Sequence, residues 1–477
     1  MILLINPPPP KGFVSNKDTM GGLGQLYPYG VKVKMPPIDL FYTAGCLLKS
    51  RCDVKVIDSL VNGLKEIDII EAVKKYRPEI VGIRTSLPTY KHDIEFASSI
   101  KCNIKAKVGM FGSVVKFCAD ELINCKSLDF LVIDEPEVVF GNIVKNGLAK
   151  ANGVWYKENN KVIKNPPQDF LTDLDSLPFP AWELVNYRQY KIHAFFGDEN
   201  FLPMLTSRGC PFSCMYCPYT VLQGKVWRSR SVTNVVEEVK HIYFNLNVKN
   251  ILFRDPEFTI NEKRTMEICE QIIKNNIKIR WICETRPDTL SEKLLKKMAE
   301  AGCIQINIGI ESLSDHVLEN IGRGKTSISH IKTVFNWAAR YNIRLFNFFI
   351  IGLPSETKRD ILKTIDFAYK NTNVNDLVQF CCATPYPGTK LMSWAQINNF
   401  IVDKDYTNYT GYSPIMRNEN LTIRQLKMLH NYACHKFMLK KESLRKMLAE
   451  KKIITFCKGI IKRIIYSIEE IYVKFFL

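Results

Sequence analysis

The chain lacks the features that mark a secreted or membrane-spanning protein. It contains no stretch of 18 apolar residues, which argues against a membrane-spanning helix. Its first residues, MILLINPPPP, have no basic segment before a short apolar run and do not resemble a signal peptide. Most of the 15 cysteines stand singly in apolar segments, as buried thiols of a reducing compartment do. We therefore expect a cytoplasmic protein.

Acidic residues are scarce relative to basic ones. The 48 Asp and Glu residues face 66 Lys and Arg residues, which gives a formal net charge of +18. Such an excess suits RNA, an anionic membrane or an acidic substrate, and it does not specify a fold. The sequence also lacks internal repeats and low-complexity tracts, and its 477 residues predict two or three domains.

Short apolar runs alternate with amphipathic segments in residues 1–150. The runs are ILLIN, DVKVID, EIVGIR, AKVGMF and DFLVID. Five such βα units with continuously apolar strands predict a doubly wound parallel α/β sheet, whose ligand would lie at the carboxyl ends of the strands. Residues 151–195, which contain Pro178 and Pro180, are predicted to be a linker.

A second alternating series fills residues 196–400. Its strand candidates are FLPMLTS, NILFR, IRWIC, IQINIG, IRLFNFFIIG and LVQFCC. Six βα units predict a partial (β/α)6 barrel with its chemistry in the loops after the strands. Two of its helices are predicted to open with capping boxes, Thr259 with Glu262 and Thr289 with Glu292. Residues 401–477 are predicted to form a helical C-terminal region.

Three cysteines lie in one loop directly after the first strand of the second series. In TSRGCPFSCMYCPYT, Cys210, Cys214 and Cys217 are separated by three and two residues. Their thiolates can converge on three corners of an iron–sulfur cube, which normally takes four cysteines. Residues 195–244 hold no fourth cysteine, so one iron would stay open for another ligand. The alternatives are a structural zinc site, although neither nearby histidine has the usual spacing, or three unrelated core thiols.

The motif CPFSCMYC resembles the CxxxCxΦC signature of the radical S-adenosylmethionine (SAM) superfamily, with Tyr216 as its aromatic, cofactor-binding residue. The barrel from about residue 201 to 396 resembles the core of that superfamily. The resemblance implies a 4Fe-4S cluster on Cys210, Cys214 and Cys217, with SAM on the open iron. It also implies reductive cleavage of SAM to a 5′-deoxyadenosyl radical, with an external electron donor of the flavodoxin or ferredoxin type.

Other loops of the barrel match positions that contact SAM in related enzymes. Glu284 lies in CETR after the third strand, Glu311 and Ser312 lie in GIES after the fourth, and Arg323 follows in IGRG. By resemblance these four residues bind the cofactor. The alternative is that each is a surface charge or part of an ion pair that closes the barrel.

An α/β domain joined by an LPFPAW linker to such a barrel resembles the cobalamin-binding subgroup of radical SAM enzymes. The Asp-x-His-x-x-Gly loop that supplies an imidazole to cobalt in other cobalamin proteins is absent, and His92 is the only histidine before residue 193. Many members of the subgroup also lack that loop. The alternatives are a nucleotide-binding domain, although GGLGQLYPYG has Tyr27 where a third glycine belongs, or a domain that binds nothing.

With cobalamin, the resemblance implies methyl transfer to an unactivated carbon of a small-molecule or lipid-like substrate. The first alternative is oxidative ring formation, as in the anaerobic porphyrin cyclase. A methylthiotransferase acting on RNA is a further alternative. It is disfavoured because the N-terminal cysteines share no loop and the tail is predicted to be helical, so a nucleic-acid partner is not expected. A non-enzymatic zinc-binding module remains if the cysteine triplet takes no iron.

The end of the chain is basic and amphipathic. Residues 436–477 hold 11 Lys and Arg against 4 Glu, and apolar residues recur with helical spacing from Ile453. The first interpretation is a helix packed on the barrel or on a second copy of the chain. The second is an interfacial helix that gives peripheral contact with an anionic membrane.

Overall fold

The computed structural model of the chain describes residues 1–324 and 326–438, and these form two compact units. The first unit holds Met1–Pro211, Pro218–Pro256 and Ile277–Arg280. The second holds Phe212–Cys217, Glu257–Asn276 and the described residues from Trp281 onward. No helix among the described residues is long and apolar enough to cross a bilayer.

The first unit is built on a seven-stranded sheet. From edge to edge its strands are Lys161–Lys164, Val154–Glu158, Phe130–Val132, Lys107–Phe111, Ile80–Arg84, Ile2–Asn6 and Val54–Asp58. The last five are parallel, and all five were predicted from their apolar runs. Numbered along the chain and read from the edge strand Val54–Asp58, these five lie in the order 2-1-3-4-5, a doubly wound arrangement. The first two strands pair antiparallel and come from the stretch predicted as a linker.

Helices alternate with these strands as the sequence predicts. The longer ones are Ile38–Lys49, Glu66–Tyr76, Tyr90–Asn103, Val115–Asn124 and Pro136–Asn146. They cover strands that are buried along their whole length, such as Ile2–Asn6. Smaller antiparallel pairs join Phe13–Asn16 to Gln25–Pro28, Val33–Lys34 to Lys191–Ile192, and Ser207–Arg208 to Arg228–Ser229.

The second sheet has six parallel strands in chain order, which confirms the partial barrel. They are Leu202–Met204, Asn250–Phe253, Arg280–Thr285, Cys303–Glu311, Arg344–Ile351 and Leu377–Cys382. A helix follows each strand: Val232–Lys240, Glu262–Lys274, Glu292–Glu300, Ile328–Arg340 (after the short Asp315–Asn320), Lys358–Asn371 and Lys390–Ile397.

The two predicted capping boxes are wrong. Helix Glu262–Lys274 is capped by Asn261, whose side-chain oxygen accepts a hydrogen bond from the main-chain NH of Arg264 at 3.0 Å. Helix Glu292–Glu300 is capped in the same way by Ser291. In both cases a good capping residue stands directly before the first helical residue, and the upstream threonine hydroxyl is used elsewhere.

Helix Ile423–Met438 packs against the last barrel strand within the second unit. The Nε2 atom of His430 lies 3.0 Å from the carbonyl oxygen of Phe380, and the rings of Phe380 and Phe437 have centroids 5.6 Å apart. The C-terminal region predicted to be helical starts at residue 401, but its first long helix begins only at Ile423; before it lie a short 3-10 helix, Tyr406–Asn408, and a β-bridge between Ile401 and Met416. The amphipathic segment predicted from Ile453 lies outside the described residues.

Candidate active site

The first cysteine of the triplet follows a glycine that the fold requires. Gly209 has a φ of +80°, and a Cβ atom there would lie 2.1 Å from the carbonyl oxygen of Val226. The next residue, Cys210, is half-buried, and its main-chain NH donates to the carbonyl oxygen of Gly224 at 3.1 Å. Both contacts lie inside the first unit, and together they fix the backbone from which the cysteine loop departs.

The other two cysteines belong to the second unit. Cys214 is 8% exposed, and its carbonyl oxygen accepts a hydrogen bond from the NH of Cys217 at 3.2 Å. Between them, the NH of Met215 donates to Ile321 and its carbonyl oxygen accepts from Leu391, each at 2.9 Å. Main-chain hydrogen bonds on both sides therefore hold the loop in place.

Two guanidinium groups approach the sulfur of Cys214. Nη1 of Arg286 lies 3.8 Å from Sγ, and Nη1 of Arg323 lies 3.9 Å from it. A sulfur bound to iron carries negative charge, which these two guanidinium groups would balance, so this sulfur suits an iron–sulfur cluster. Among the residues that the structure describes, no three His, Cys, Asp or Glu side chains meet as a metal-ion group. The cluster assignment therefore rests on cysteine spacing and on the chemistry around Cys214.

Glu311, Arg323 and the partly buried Tyr216 form one group in the second unit. Glu311 Oε1 lies 3.7 Å from Nη2 of Arg323, and the side chain of Tyr216 lies beside this pair. Burial raises the pKa of Glu311, and Arg323 partly offsets that shift. Glu311 also has a φ of +68°, a conformation that costs a non-glycine residue about 1–3 kcal/mol and is typical of functional sites. A carboxylate beside a guanidinium can hold the amino and carboxylate groups of an amino-acid ligand.

Ser312 supports the adjacent loop through a carboxyl group that the sequence analysis did not single out. The Ser312 hydroxyl donates to Glu356 Oε1 at 3.4 Å. Glu356 Oε2 accepts from the main-chain NH groups of Gly352 at 2.7 Å and Leu353 at 3.2 Å. Burial raises the pKa of Glu356 to about 8. The signal was the acidic residue in IIGLPSET, directly after a strand and before a helix.

A second buried carboxyl group organises the end of the third barrel strand. Glu257 accepts hydrogen bonds from Thr289 at 3.0 Å, from Thr259 at 3.2 Å and from the main-chain NH of Arg286 at 3.3 Å, and Thr285 also donates to it. Burial raises the pKa of Glu257. The two threonines predicted as helix caps thus serve this carboxyl group instead.

Glu284 lies one residue before the end of its strand and is half-buried. Its carbonyl oxygen accepts a hydrogen bond from the NH of Phe258 at 3.0 Å, so the strand end is tied to the segment that carries Glu257. Cys214, Glu311 and Arg323 thus form one group, with Tyr216 beside it. Glu284, near the end of its strand, and Ser312, directly after its strand, lie outside this group.

A cleft lies within the first unit at the carboxyl ends of the parallel strands. The empty space in the cleft is about 870 Å³, a volume that includes solvent at its open side. Residues that end or follow the strands line it, among them Arg84, Gly112 and Asp134. In a 2-1-3-4-5 sheet this edge is where ligands bind, beside the point at which the strand order reverses.

Ion pairs hold the side chains of the cleft in place. Asp18 pairs with Arg254 and Asp39 pairs with Arg84, each at 2.8 Å, and Glu135 pairs with Arg208 at 3.1 Å. None of the described residues that line the cleft is a histidine. His92 is instead in helix Tyr90–Asn103, 3.9 Å from Glu95. The cleft thus offers polar groups and no imidazole.

Gly22 allows the GGLG segment, which was predicted to be a loop, to form part of the wall of the cleft. Gly22 has a φ of +93°, and a Cβ atom there would lie 2.6 Å from Ser113 Oγ and 3.0 Å from Arg84 Nη2. The main chain therefore approaches these side chains more closely than any other residue permits. The glycines allow this close approach. Their spacing does not match a dinucleotide-binding pattern, as the sequence already indicates.

Comparisons with known proteins place the chain in a family. An uncharacterized methyltransferase of Pyrococcus horikoshii is 35% identical to it over 427 residues, which are 87% of this chain and 90% of that protein. The model of the radical SAM superfamily matches residues 204–368. The chain belongs to the radical SAM superfamily. The anaerobic magnesium-protoporphyrin IX monomethyl ester cyclase of Cereibacter sphaeroides is 26% identical over 85% of this chain and 67% of that protein.

Two solved structures have the fold of this radical SAM enzyme. The methyltransferase TsrM of Kitasatospora setae, with cobalamin and a 4Fe-4S cluster bound, matches with a TM-score of 0.66 and 16% identity over 82% of this chain and 76% of that one. The cobalamin-dependent enzyme OxsB, with aqua-cobalamin and SAM bound, matches with a TM-score of 0.73 and 17% identity over 95% of this chain and 71% of that one. The predicted order of α/β domain and barrel is therefore confirmed.

Proposed function

We propose that this radical SAM enzyme is a cobalamin-dependent methyltransferase that acts on an unactivated carbon. The observation that carries the proposal is the cysteine triplet of CPFSCMYC within the radical SAM segment, in a chain whose other domain has a ligand cleft at its sheet edge. A methyltransferase of Pyrococcus horikoshii and the fold of TsrM support methyl transfer.

Cys210, Cys214 and Cys217 would hold a 4Fe-4S cluster in this proposal, and Tyr216, Glu284, Glu311, Ser312 and Arg323 would surround SAM. When bound, the cluster and SAM supply a 5′-deoxyadenosyl radical. The residues of this chain orient the amino-acid part of SAM: the Glu311 carboxylate suits the N–H groups of its amino group, and the Arg323 guanidinium suits its carboxylate. Tyr216 lies beside this pair. The side chains of Glu311 and Arg323 are each only 9% exposed, which excludes water and strengthens these interactions.

Cobalamin would occupy the cleft of the first unit, where it would supply the methyl group. The fit rests on the position of the cleft at the switch point of the sheet, on the close main-chain approach at Gly22 and on the fixed polar side chains. Because no described lining residue is a histidine, cobalt should receive no nitrogen from the protein. Electron paramagnetic resonance of the Co(II) form should show no nitrogen superhyperfine splitting from the protein, and its presence would contradict the assignment.

One face of the barrel strands suits an apolar, flat acceptor. On strand Arg344–Ile351, Phe346 and Phe348 are partly exposed, and their ring centroids are 4.3 Å apart. In register beside Phe348 lies Gln379, whose amide donates to Cys381. The opposite face carries Phe349 and Phe380, packed under helix Ile423–Met438, so the Phe348 face is directed into the barrel. We propose that it receives the substrate.

The test is an anaerobic turnover with SAM labelled in its methyl group. Cys214→Ala should lose the iron–sulfur absorbance and 5′-deoxyadenosine formation while the protein stays folded, because the ligand lies in a loop. Cys269→Ala, which removes a fully buried thiol outside the triplet, is the matched control and should keep both. Reductive cleavage of SAM by Cys214→Ala would overturn the proposal.

Oxidative ring formation is the second candidate because the cyclase of Cereibacter sphaeroides is 26% identical over 85% of this chain. The same labelled turnover separates the two reactions. A methyl transferase moves the label onto its acceptor, whereas a cyclase yields 5′-deoxyadenosine and leaves the acceptor unlabelled.

A further inference from the structure

Arg286 presents one particular nitrogen to the sulfur of Cys214. Its Nε donates to Asp288 Oδ1 at 2.9 Å, and its Nη2 donates to Asp288 Oδ2 at 2.7 Å. Nη2 also donates to the carbonyl oxygen of Arg323 at 2.8 Å. The remaining nitrogen, Nη1, is the one that lies 3.8 Å from Cys214 Sγ.

The rest of the residue is fixed as well. The guanidinium lies over the ring of Phe212, 4.0 Å from its centroid. The main-chain NH of Arg286 donates to Glu257 at 3.3 Å, and the side chain is 6% exposed. Because the planar guanidinium group is already held on three sides, it loses little entropy when its remaining nitrogen, Nη1, donates to the sulfur. Arg323, the other donor to this sulfur, also pairs with Glu311.

We propose that Arg286 is a positioning residue that raises the reduction potential of the iron–sulfur cluster through its contact with Cys214. The inference rests on the proposed function, because it requires that Cys214 bind the cluster. Reduction adds one electron, which the external flavodoxin- or ferredoxin-type donor supplies, and no bond forms or breaks at Arg286. A donor aimed at a ligand sulfur stabilises the more negative, reduced cluster.

The experiment is a potentiometric titration of the full-length, anaerobically reconstituted protein, followed by the paramagnetic signal of the reduced cluster. SAM is left out, so that altered cofactor binding cannot move the potential. In Arg286→Gln the reduction equilibrium should become about tenfold less favourable, which is about 59 mV lower for a one-electron couple. Arg340→Gln, which removes an exposed arginine paired with Glu292, is the matched control and should keep the wild-type potential.

Two further variants separate position from charge. Arg286→Lys keeps the charge but has only one nitrogen, which cannot serve both Asp288 and the sulfur, so its potential should also fall. Asp288→Asn adds positive charge to the region, and electrostatics alone would raise the potential. If Asp288 holds Arg286 in place, the potential of Asp288→Asn should fall instead, and a rise would overturn the positioning role.

The outcomes distinguish this inference from the proposed function. A wild-type protein that takes up no 4Fe-4S cluster would refute the proposed function before any variant is compared. If the wild-type protein binds the cluster but Arg286→Gln has the same reduction potential, within the scatter shown by Arg340→Gln, the inference alone is refuted. If Arg286→Gln retains no cluster, the reduction potential of Arg286→Lys is compared with that of the wild type instead. An unchanged potential in Arg286→Lys would then refute the inference.

Discussion

Gly309 leaves room for the side chain of Glu311, whose carboxyl group we propose binds SAM. A Cβ atom at this position would lie 2.4 Å from Glu311 Oε1 and 3.1 Å from Arg323 Nη2, both at the ends of flexible side chains. Gly309→Ala should therefore cost little stability but displace the Glu311–Arg323 pair. We expect SAM affinity, measured by equilibrium binding to the reconstituted protein, to fall about tenfold or more, a loss of about 1.4 kcal/mol.

Gly141→Ala is the control for this prediction. Gly141 lies in helix Pro136–Asn146, and a Cβ atom there would have no neighbour within 4 Å. That variant should keep its SAM affinity, and its melting temperature should stay the same or rise slightly because alanine favours a helix interior more than glycine does. Unchanged SAM binding in Gly309→Ala would show that Glu311 and Arg323 do not hold the cofactor.

Glu356 should make stability depend on pH. Its pKa is raised by burial from 4.5 to about 8, so the folded protein keeps a proton that the unfolded chain loses near pH 4.5. Its contribution to stability is therefore full below pH 4.5 and is lost as the pH rises through about 8, at about 1.4 kcal/mol per unit of pKa difference. Glu356→Gln should flatten the decline in urea midpoint over this range. The exposed Glu319→Gln should keep the decline, and an unflattened profile in Glu356→Gln would contradict the raised pKa.

At the scale of elements, a buried ion pair fastens the loop before Gly22 to helix Tyr90–Asn103. Lys17 Nζ donates to both Asp93 oxygens, at 3.1 and 3.0 Å, and to the carbonyl oxygen of Arg84 at 2.7 Å. Neither side chain of the pair is exposed. Arg84 ends a central strand, so the pair ties loop, helix and strand together at the edge that forms the cleft.

Lys17→Met should destabilise the protein by about 3–5 kcal/mol because it leaves the Asp93 carboxylate buried without a counter-charge. The double variant Lys17→Met/Asp93→Asn should recover part of that loss, and Lys11→Met at an exposed position should change little. Urea denaturation measures all three. A double variant no more stable than Lys17→Met would argue against a charge effect.

At the scale of the whole molecule, the net charge of +18 favours an acidic electron donor. We propose a donor of the flavodoxin or ferredoxin type, and electrostatic steering of such a partner weakens with salt. Raising ionic strength from ~0.05 to ~0.5 M should lower the donor-dependent rate of 5′-deoxyadenosine formation several-fold. The rate with saturating dithionite should change much less. Equal salt dependence of the two rates would remove the case for steering.

The sequence by itself determined the main parallel strands of both sheets and the position of the cysteine loop. Eleven apolar runs predicted eleven strands, because a strand that is buried on one or both faces carries several apolar residues in a short run. The spacing of Cys210, Cys214 and Cys217 and the loops after the strands are likewise local features of the chain. Such features depend on neighbours in sequence, so they can be read without coordinates.

Only the tertiary structure decided which polar groups share a partner. Arg286 and Arg323 are 37 residues apart and meet at one cysteine, and Ser312 and Glu356 are 44 residues apart. Thr259 has good capping chemistry, yet its hydroxyl serves Glu257, because a buried carboxyl group needs donors more than an exposed helix end does. Burial and distance set these assignments, and the linear sequence specifies neither.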